Sequence, residues 1–151
     1  MILGVTGHRP QKLGDFAFRT RAEVTRAIEV FAPERLLTGM ALGVDTWAAE
    51  TCIGLGIPFV AVIPHDGQER RWSRQQQDHY WQLLNAAERT FYPAPGPYAP
   101  WKFQKRNEVI VDNCEWLLAV YDGTPGGTKN CVDYALKVNR SMTVIDPRKL
   151  T

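Results

Sequence analysis

"LLTGMALGVDTWAAE" (Leu36–Glu50) is the stretch that sets the fold. An apolar run stops at Gly39, a second glycine follows at Gly43, and a helical pattern starts at once, with Ala48, Ala49 and Cys52 on one face. A turn that only reversed the chain would be polar and loose. One made of glycines and small apolar residues is a buried strand-to-helix connection, which brings free N–H groups and a positive dipole end to its start. The carboxylate of Asp45, two places after the second glycine, needs its own explanation.

Working outward, the same alternation recurs. Short apolar or β-branched runs at Met1–Thr6, Arg35–Thr38, Ile57–Ile63, Trp116–Tyr121 and Met142–Ile145 read as strands, with Arg89–Pro93 as a short edge strand. Helices are expected over Phe16–Phe31 (Phe18, Ala22, Val24, Ala27, Ile28 and Phe31 near a helical period), Val44–Leu55, Gln75–Ala87, Lys102–Cys114 and Lys129–Val138. In Lys102–Cys114 the inward positions are Phe103, Val109, Ile110 and Cys114. Ile57–Ile63 is continuous enough to be buried on both faces. Pro93–Pro100 cannot be helical. Strands alternating with helices imply an α/β, doubly wound, mainly parallel sheet with helices on both faces, one domain over residues 1–151.

The net charge of +2 is too small for a nucleic-acid coat protein. Three cysteines (Cys52, Cys114, Cys131) without C-x-x-C spacing argue against a disulfide framework and against a zinc site, and suit a reducing cytoplasm. No leader pattern and no run long enough to span a bilayer is present, so the expectation is a cytoplasmic protein with no membrane partner, no metal and no resident cofactor.

In an open parallel sheet, ligands bind beyond the carboxyl ends of the strands, where strand order reverses. Four segments fall there: Thr6–Pro10 with Thr6, Gly7, His8 and Arg9; Thr38–Asp45 with Gly39, Met40, Ala41, Gly43 and Asp45; Ile63–Trp72 with Gln68 and Trp72; and Asp122–Thr128 with Asp122, Gly126, Gly127 and Thr128. Glycine loops opening helices favour a phosphate or ribose phosphate, although the same glycines can serve only to make tight turns. The spacing of Gly39 and Gly43 is not that of dinucleotide enzymes, and no Walker lysine motif follows. Asp45 has two readings, a helix-start acceptor for backbone N–H and an acceptor for ribose hydroxyls. Arg9 is a solvated loop cation or a bidentate phosphate partner. Trp47, Trp72 and Tyr80 read as packing aromatics, with base stacking open to Trp72. Arg70, Arg71 and Arg74 read as a solvated face or an anion rim.

Taken together, "VTGHRPQKLG", "GMALGVDTWAAE", "IPHDGQERRW", "KRNEVIVDNCEWLLAVYDG" and "GGT" resemble the YpsA-like branch of the SLOG superfamily, which also holds DprA and the LOG-type phosphoribohydrolases. The resemblance implies a Rossmann-like sheet whose crevice takes a nucleotide or nucleotide-derived molecule of the ADP-ribose type. It assigns Gly39, Met40, Ala41, Gly43 and Asp45 to a first glycine loop, and Gly126, Gly127 and Thr128 to a second. Arg106 and Asn107 become its Arg-Asn pair, and Gln68, Trp72 and Tyr80 match positions of the YpsA-like branch. It also implies that Trp116–Tyr121 lies beside Met1–Thr6. One departure concerns chemistry. Where LOG-type hydrolases carry a glutamate three residues after the Thr of a glycine-glycine-x-glycine-threonine loop, this chain has Cys131, and its second loop, Gly126-Gly127-Thr128, lacks the extra glycine before the Thr.

Three functions therefore compete. The first is a sensor or sequestering module for a nucleotide-derived ligand, of the kind used in bacterial or phage immune signalling. The second is a phosphoribohydrolase or N-glycosidase with Asp45 as candidate catalytic carboxylate. The third is single-stranded DNA binding in the manner of DprA, weakened by the near-neutral charge. The resemblance also implies a homo-oligomer, dimer or larger.

Overall fold

The computed structural model describes residues 1–150. Six strands, β1 (Ile2–Gly7), β2 (Arg35–Thr38), β3 (Phe59–Val62), β4 (Arg89–Phe91), β5 (Trp116–Val120) and β6 (Ser141–Ile145), form one sheet in the order β4-β3-β2-β1-β5-β6. Every pairing is parallel. The helices are α1 (Pro10–Leu13), α2 (Ala17–Phe31), α3 (Val44–Leu55), α4 (Arg74–Ala86), α5 (Trp101–Asn113) and α6 (Gly127–Lys137). This is the α/β, Rossmann-like architecture expected.

Two layers of helix cover the sheet. On one face α2, α3 and α4 place Val24, Ile28, Val44, Ala48, Cys52 and Leu83 against Leu3, Leu36, Phe59 and Leu118. On the other, Ile110 and Val111 of α5 and Cys131 and Ala135 of α6 pack on Leu37 and Leu117. The close seat of α5 depends on Gly4, because a Cβ there would come within 2.9 Å of Cys114 Sγ and Ile110 Cγ2. Truncating a fully buried member such as Ile28 to alanine costs about 2–5 kcal/mol.

The two layers are unequal. Only α5 and α6 serve the second face, so the sheet beside β3 and β4 keeps an open recess of about 660 Å³ lined by Leu37, Val60, Val62, Phe91 and Val109. Val60 is therefore half-buried, which corrects the expectation that this strand is covered on both sides. Val109 and Phe103 of α5 are likewise half-buried rather than core. In α2 the buried stripe runs through Thr20, Val24, Ala27 and Ile28. Phe18 and Ala22 lie off that stripe, and Phe18 is 85% exposed. Helix α1 was not expected: it is a single turn that starts on Pro10, too short to show a period, with Arg9 extended before it.

Topology fixes where a ligand can enter. From β1 the chain winds outward through β2, β3 and β4, then crosses back over α5 to lay β5 on the opposite side of β1. The carboxyl ends of β1 and β5 thus diverge at the switch point of the sheet.

Candidate functional site

The loops leaving β1, β2 and β5 meet at that switch point around a cavity of about 470 Å³. Its wall carries Thr6, Gly7, His8, Arg9, Ala41, Asp45, Arg106, Asn107, Gly127 and Thr128, all singled out in the sequence, together with Gln11, Lys12 and Phe103. Gly39, Met40, Gly43, Asp122 and Gly126 are not on the wall; they sit behind it or beside it.

The first glycine bend proves to be a closed structure rather than a bare amide cradle. Met40 N–H points to Thr38 Oγ1 at 3.4 Å, Ala41 N–H donates to Asp45 Oδ2 at 3.2 Å, and Val44 N–H reaches the His8 carbonyl at 3.5 Å. Gly39, Met40, Ala41 and Gly43 are all buried. Glycine is required here for packing. A Cβ on Gly43, at φ +96°, would lie 2.7 Å from the His8 carbonyl oxygen, and one on Gly7 would lie 2.5 Å from Val44 Cβ. Gln68 braces the same bend, with Nε2 3.2 Å from the Gly39 carbonyl, 3.4 Å from that of Met40 and 3.2 Å from the Tyr80 hydroxyl. Tyr80 lines neither this cavity nor its neighbour described below.

The second bend is different. Helix α6 opens at Gly127 behind Gly126, with no side chain capping its first turn. A Cβ at Gly127 would meet nothing within 4 Å, and at Gly126 it would meet only Lys12 Nζ. An eleven-residue helix thus presents its N-terminal N–H groups at the cavity, where an anion is favoured.

Asp45 is the sole carboxylate on the cavity wall among the described residues. It is 6% exposed; Oδ2 holds the Ala41 N–H, and Oδ1 is buried with no hydrogen-bond partner. So one oxygen braces the bend and the other is buried and left unpaired. Burial pushes its pKa up to about 6, against the opposing pull of Arg106. Arg106, itself buried, donates from Nη1 to the Gly39 carbonyl at 2.9 Å and from Nε to Asn107 Oδ1 at 3.0 Å. Burial pulls its pKa down and Asp45 opposes that pull. Asn107 Nδ2 in turn donates to the Gly127 carbonyl at 3.2 Å, so the Arg-Asn pair ties both bends to α5.

His8 joins β1 to β5. Its Nε2 lies 3.0 Å from Asp122 Oδ1 and 3.1 Å from the Asp122 backbone nitrogen, so the tautomer decides which bond forms. Asp122 Oδ1 also accepts from the Thr124 hydroxyl at 2.5 Å and the Thr124 N–H at 3.0 Å. Those Thr124 bonds, and then His8, hold the Asp122 carboxyl well below the usual range.

Alongside lies a second recess of about 530 Å³, formed by the loop after β3 and the proline loop before α5. Gln68, Arg70, Arg71 and Trp72 line it with His65, Asp66, Gly67 and Tyr98, and it shares Arg9 and Phe103 with the first cavity. His65, Tyr98 and Phe103 meet edge to face, at ring separations of 5.4, 5.5 and 6.1 Å. Sequence reasoning missed His65, Tyr98, Phe103, Lys12 and Gln11 as wall residues. The available signal was an aromatic inside a proline loop and two polar residues directly after "TGHRP".

Cys131, in the place of the LOG-type glutamate, is fully buried, and burial pushes its thiol up to about 12. Asp133 faces away, paired with Lys129 at 2.8 Å. No cluster of three His, Cys, Asp or Glu side chains suited to a metal occurs among the described residues, and no helix among them is long and apolar enough to cross a membrane.

Comparison with known proteins agrees with this architecture. Residues 3–150 match the model of the YspA SLOG family, YpsA. The uncharacterized SPbeta prophage-derived protein YoqJ of Bacillus subtilis is 36% identical, over 68% of this chain and 70% of its own length. UPF0398 protein YpsA of the same organism is 31% identical, over 84% of this chain and 79% of its own. Among solved structures, DNA processing protein A (DprA) of Streptococcus pneumoniae superposes with a TM-score of 0.66 at 17% identity, over 94% of this chain. This chain spans only 49% of that DprA chain. The molybdenum cofactor carrier protein of Chlamydomonas reinhardtii superposes with a TM-score of 0.64 at 19% identity, over 95% of this chain and 74% of its own. At such identities the two structures share the fold alone. By the span of the family match and the identity of its relatives, the chain belongs to the YspA SLOG (YpsA) family.

Proposed function

We propose that the cavity between β1 and β5 binds a phosphorylated ribose, as part of a nucleotide or nucleotide-derived small molecule, and that the protein acts as a sensor or sequestering module for it. The observation that carries this reading is Asp45 Oδ1, a buried carboxylate oxygen with no partner in the protein. Leaving such an acceptor unsatisfied costs about 1–3 kcal/mol, a cost that a ligand hydroxyl donating to it removes. Across the same cavity, the uncapped start of α6 with Lys12 and Arg106 supplies the complement for a phosphate. One wall thus accepts and the other donates, the pattern that a sugar phosphate presents in reverse.

Binding without cleavage is favoured by the wall's lack of a second carboxylate and by the buried thiol of Cys131. Glycosidic hydrolysis needs a group to direct water and another to stabilise the charged sugar, and Asp45 alone is already half committed to Ala41. Proteins of the same fold take other ligands, single-stranded DNA in DNA processing protein A of Helicobacter pylori and the molybdenum cofactor in the carrier protein of Chlamydomonas reinhardtii.

Thermal unfolding with AMP, ADP, ribose 5-phosphate and a (dT) oligonucleotide tests the reading. A true ligand at a hundredfold excess over its Kd adds ~2.7 kcal/mol, raising the midpoint by roughly 5–10 °C for a chain of this size. No rise with any ribose phosphate, or release of free base on incubation, overturns it.

A further inference from the structure

The two edges of the sheet are finished differently. Strand β4 is three residues long, carries Arg89 and follows the exposed Glu88–Arg35 ion pair, so shortness and charge guard it against further pairing. Strand β6 is five residues, Ser141–Ile145, without charge, proline or glycine, and no strand among the described residues pairs with its outer side. The Ile145 carbonyl accepts from Tyr121 N–H at 3.0 Å, so Ser141, Thr143 and Ile145 turn their backbone groups to β5. Met142 and Val144 turn theirs outward. We propose that β6 is the joint of a twofold dimer. It pairs antiparallel with β6 of a second copy about an axis at Thr143, which joins the two sheets into one.

The strand fits its own copy. With the axis at Thr143, Met142 stands opposite Val144 of the second copy, and both have outward N–H and carbonyl groups to exchange. Moving the register by a single residue would set an outward group against one already bonded to β5. Among the registers that remain, the axis at Thr143 is the one that overlaps all of Ser141–Ile145. It also brings unlike charges together at both ends, because Arg140, just before the strand, comes opposite Asp146, just after it. Arg140 Nε is buried with no hydrogen-bond partner. Asp146 holds the Arg148 N–H and Nε on Oδ1 and Nη2 on Oδ2, which leaves Oδ2 a further acceptor site. An unrelated peptide would have no cause to match that order of charges.

Side chains extend the joint on one face of the sheet. Met142 packs against the α5–α6 layer, so Val144, two places on, lies on that face as well, and it is 50% exposed. Helix α5 sits over β1 and β3, and α6 beside it over β1 and β5, so the flank of α6 away from α5 looks toward β6. Tyr134 of α6 turns to α5, its hydroxyl donating to Asp112 at 2.8 Å. Leu136, about 200° further round the helix, is on the other flank. It is 59% exposed. A twofold axis through an antiparallel strand pair keeps like faces on one side, so α6 of the second copy arrives on this same face. Docking then covers the unpaired edge and both exposed aliphatic side chains in one step.

Sedimentation equilibrium and cysteine cross-linking test the proposal. The mass should rise from one chain to two as concentration increases from about 1 to 100 µM, the range of a small interface. All three native thiols are buried, so an introduced cysteine reports alone. Thr143→Cys, at the axis, should oxidise to a cross-linked dimer, because a non-hydrogen-bonded antiparallel pair holds its Cα atoms about 4.5 Å apart, within disulfide reach. Ser141→Cys, at the end of the strand, should not. Val144→Pro removes an outward N–H and leaves the β5 ladder intact, and Val144→Lys puts a charge on the edge. Each should stay a single chain at the highest concentration; if the proline variant does not fold, the lysine variant decides. A single-chain mass throughout, a dimer untouched by Val144→Lys, or cross-linking through Ser141→Cys but not Thr143→Cys overturns the proposal. Growth beyond two chains overturns the closed twofold joint. These outcomes are independent of what the crevice binds.

Discussion

The Arg106 guanidinium occupies the space that a Cβ on Gly39 would need: Nη1 lies 2.2 Å from that position and donates to the Gly39 carbonyl at 2.9 Å. One contact explains two motif residues 67 positions apart. The glycine is absent of side chain to admit the arginine, and the arginine closes the bend from behind. Gly39→Ala should therefore destabilise the fold by about 1–3 kcal/mol, since a buried guanidinium held at Nη1 and Nε cannot step aside freely. Urea unfolding checks this; an unchanged midpoint would show that Arg106 does not brace the bend.

The two glycine bends should respond oppositely to the same substitution. Gly43→Ala meets the His8 carbonyl at a positive φ and should cost about 1–3 kcal/mol. Gly127→Ala enters open space on the first turn of a helix, so stability should stay level or rise by about 0.5–1 kcal/mol. The added methyl stands at the proposed phosphate cradle, so affinity for AMP should fall roughly tenfold, or ~1.4 kcal/mol. Denaturation and titration on the same two variants read both effects.

Asp45 makes a pH-dependent prediction. Its folded pKa, about 6, lies above the ordinary 3.8, so between those values the folded state holds more protons than the unfolded state. Asp45 therefore lowers stability progressively as pH rises from about 4 to 6, and the deficit is complete at neutral pH. Asp45→Asn should stabilise the ligand-free protein at pH 7 by about 1–3 kcal/mol and have little effect at pH 4. A variant less stable at pH 7 would mean that the open oxygen is satisfied in solution.

All three cysteines are buried, and burial raises the thiols of Cys52 and Cys131 to about 12. None should react with a disulfide reagent in native buffer, while three should titrate in guanidinium. Rapid native labelling that maps to Cys131 would place its thiol nearer the cavity surface than its packing indicates.

Much of the fold was legible because its signals are local. Helix α3 runs over Val44–Leu55 and β2 over Arg35–Thr38, as the glycines and the apolar run between them dictate. The side of the sheet bearing the crevice followed from topology. What could not be read was which backbone groups remain free. The engagement of the Gly39–Gly43 bend depends on Arg106, Gln68 and His8, each distant in sequence, whereas at the Gly126–Gly127 bend Asn107 and Lys12 bond only to carbonyl groups and no side chain caps the first turn of α6. Tyr98 and Phe103 escaped for the same reason: their partner His65 is supplied by a different loop.

The most direct measurement is a calorimetric titration of AMP into the unaltered protein and into Asp45→Asn at pH 7. If a ribose hydroxyl donates to the open carboxylate oxygen, AMP binds the unaltered protein and loses tenfold or more in affinity for the variant, even as the variant itself becomes more stable. Equal affinity for both proteins would contradict the account, because the one buried oxygen on which it rests would then have no part in holding the ligand.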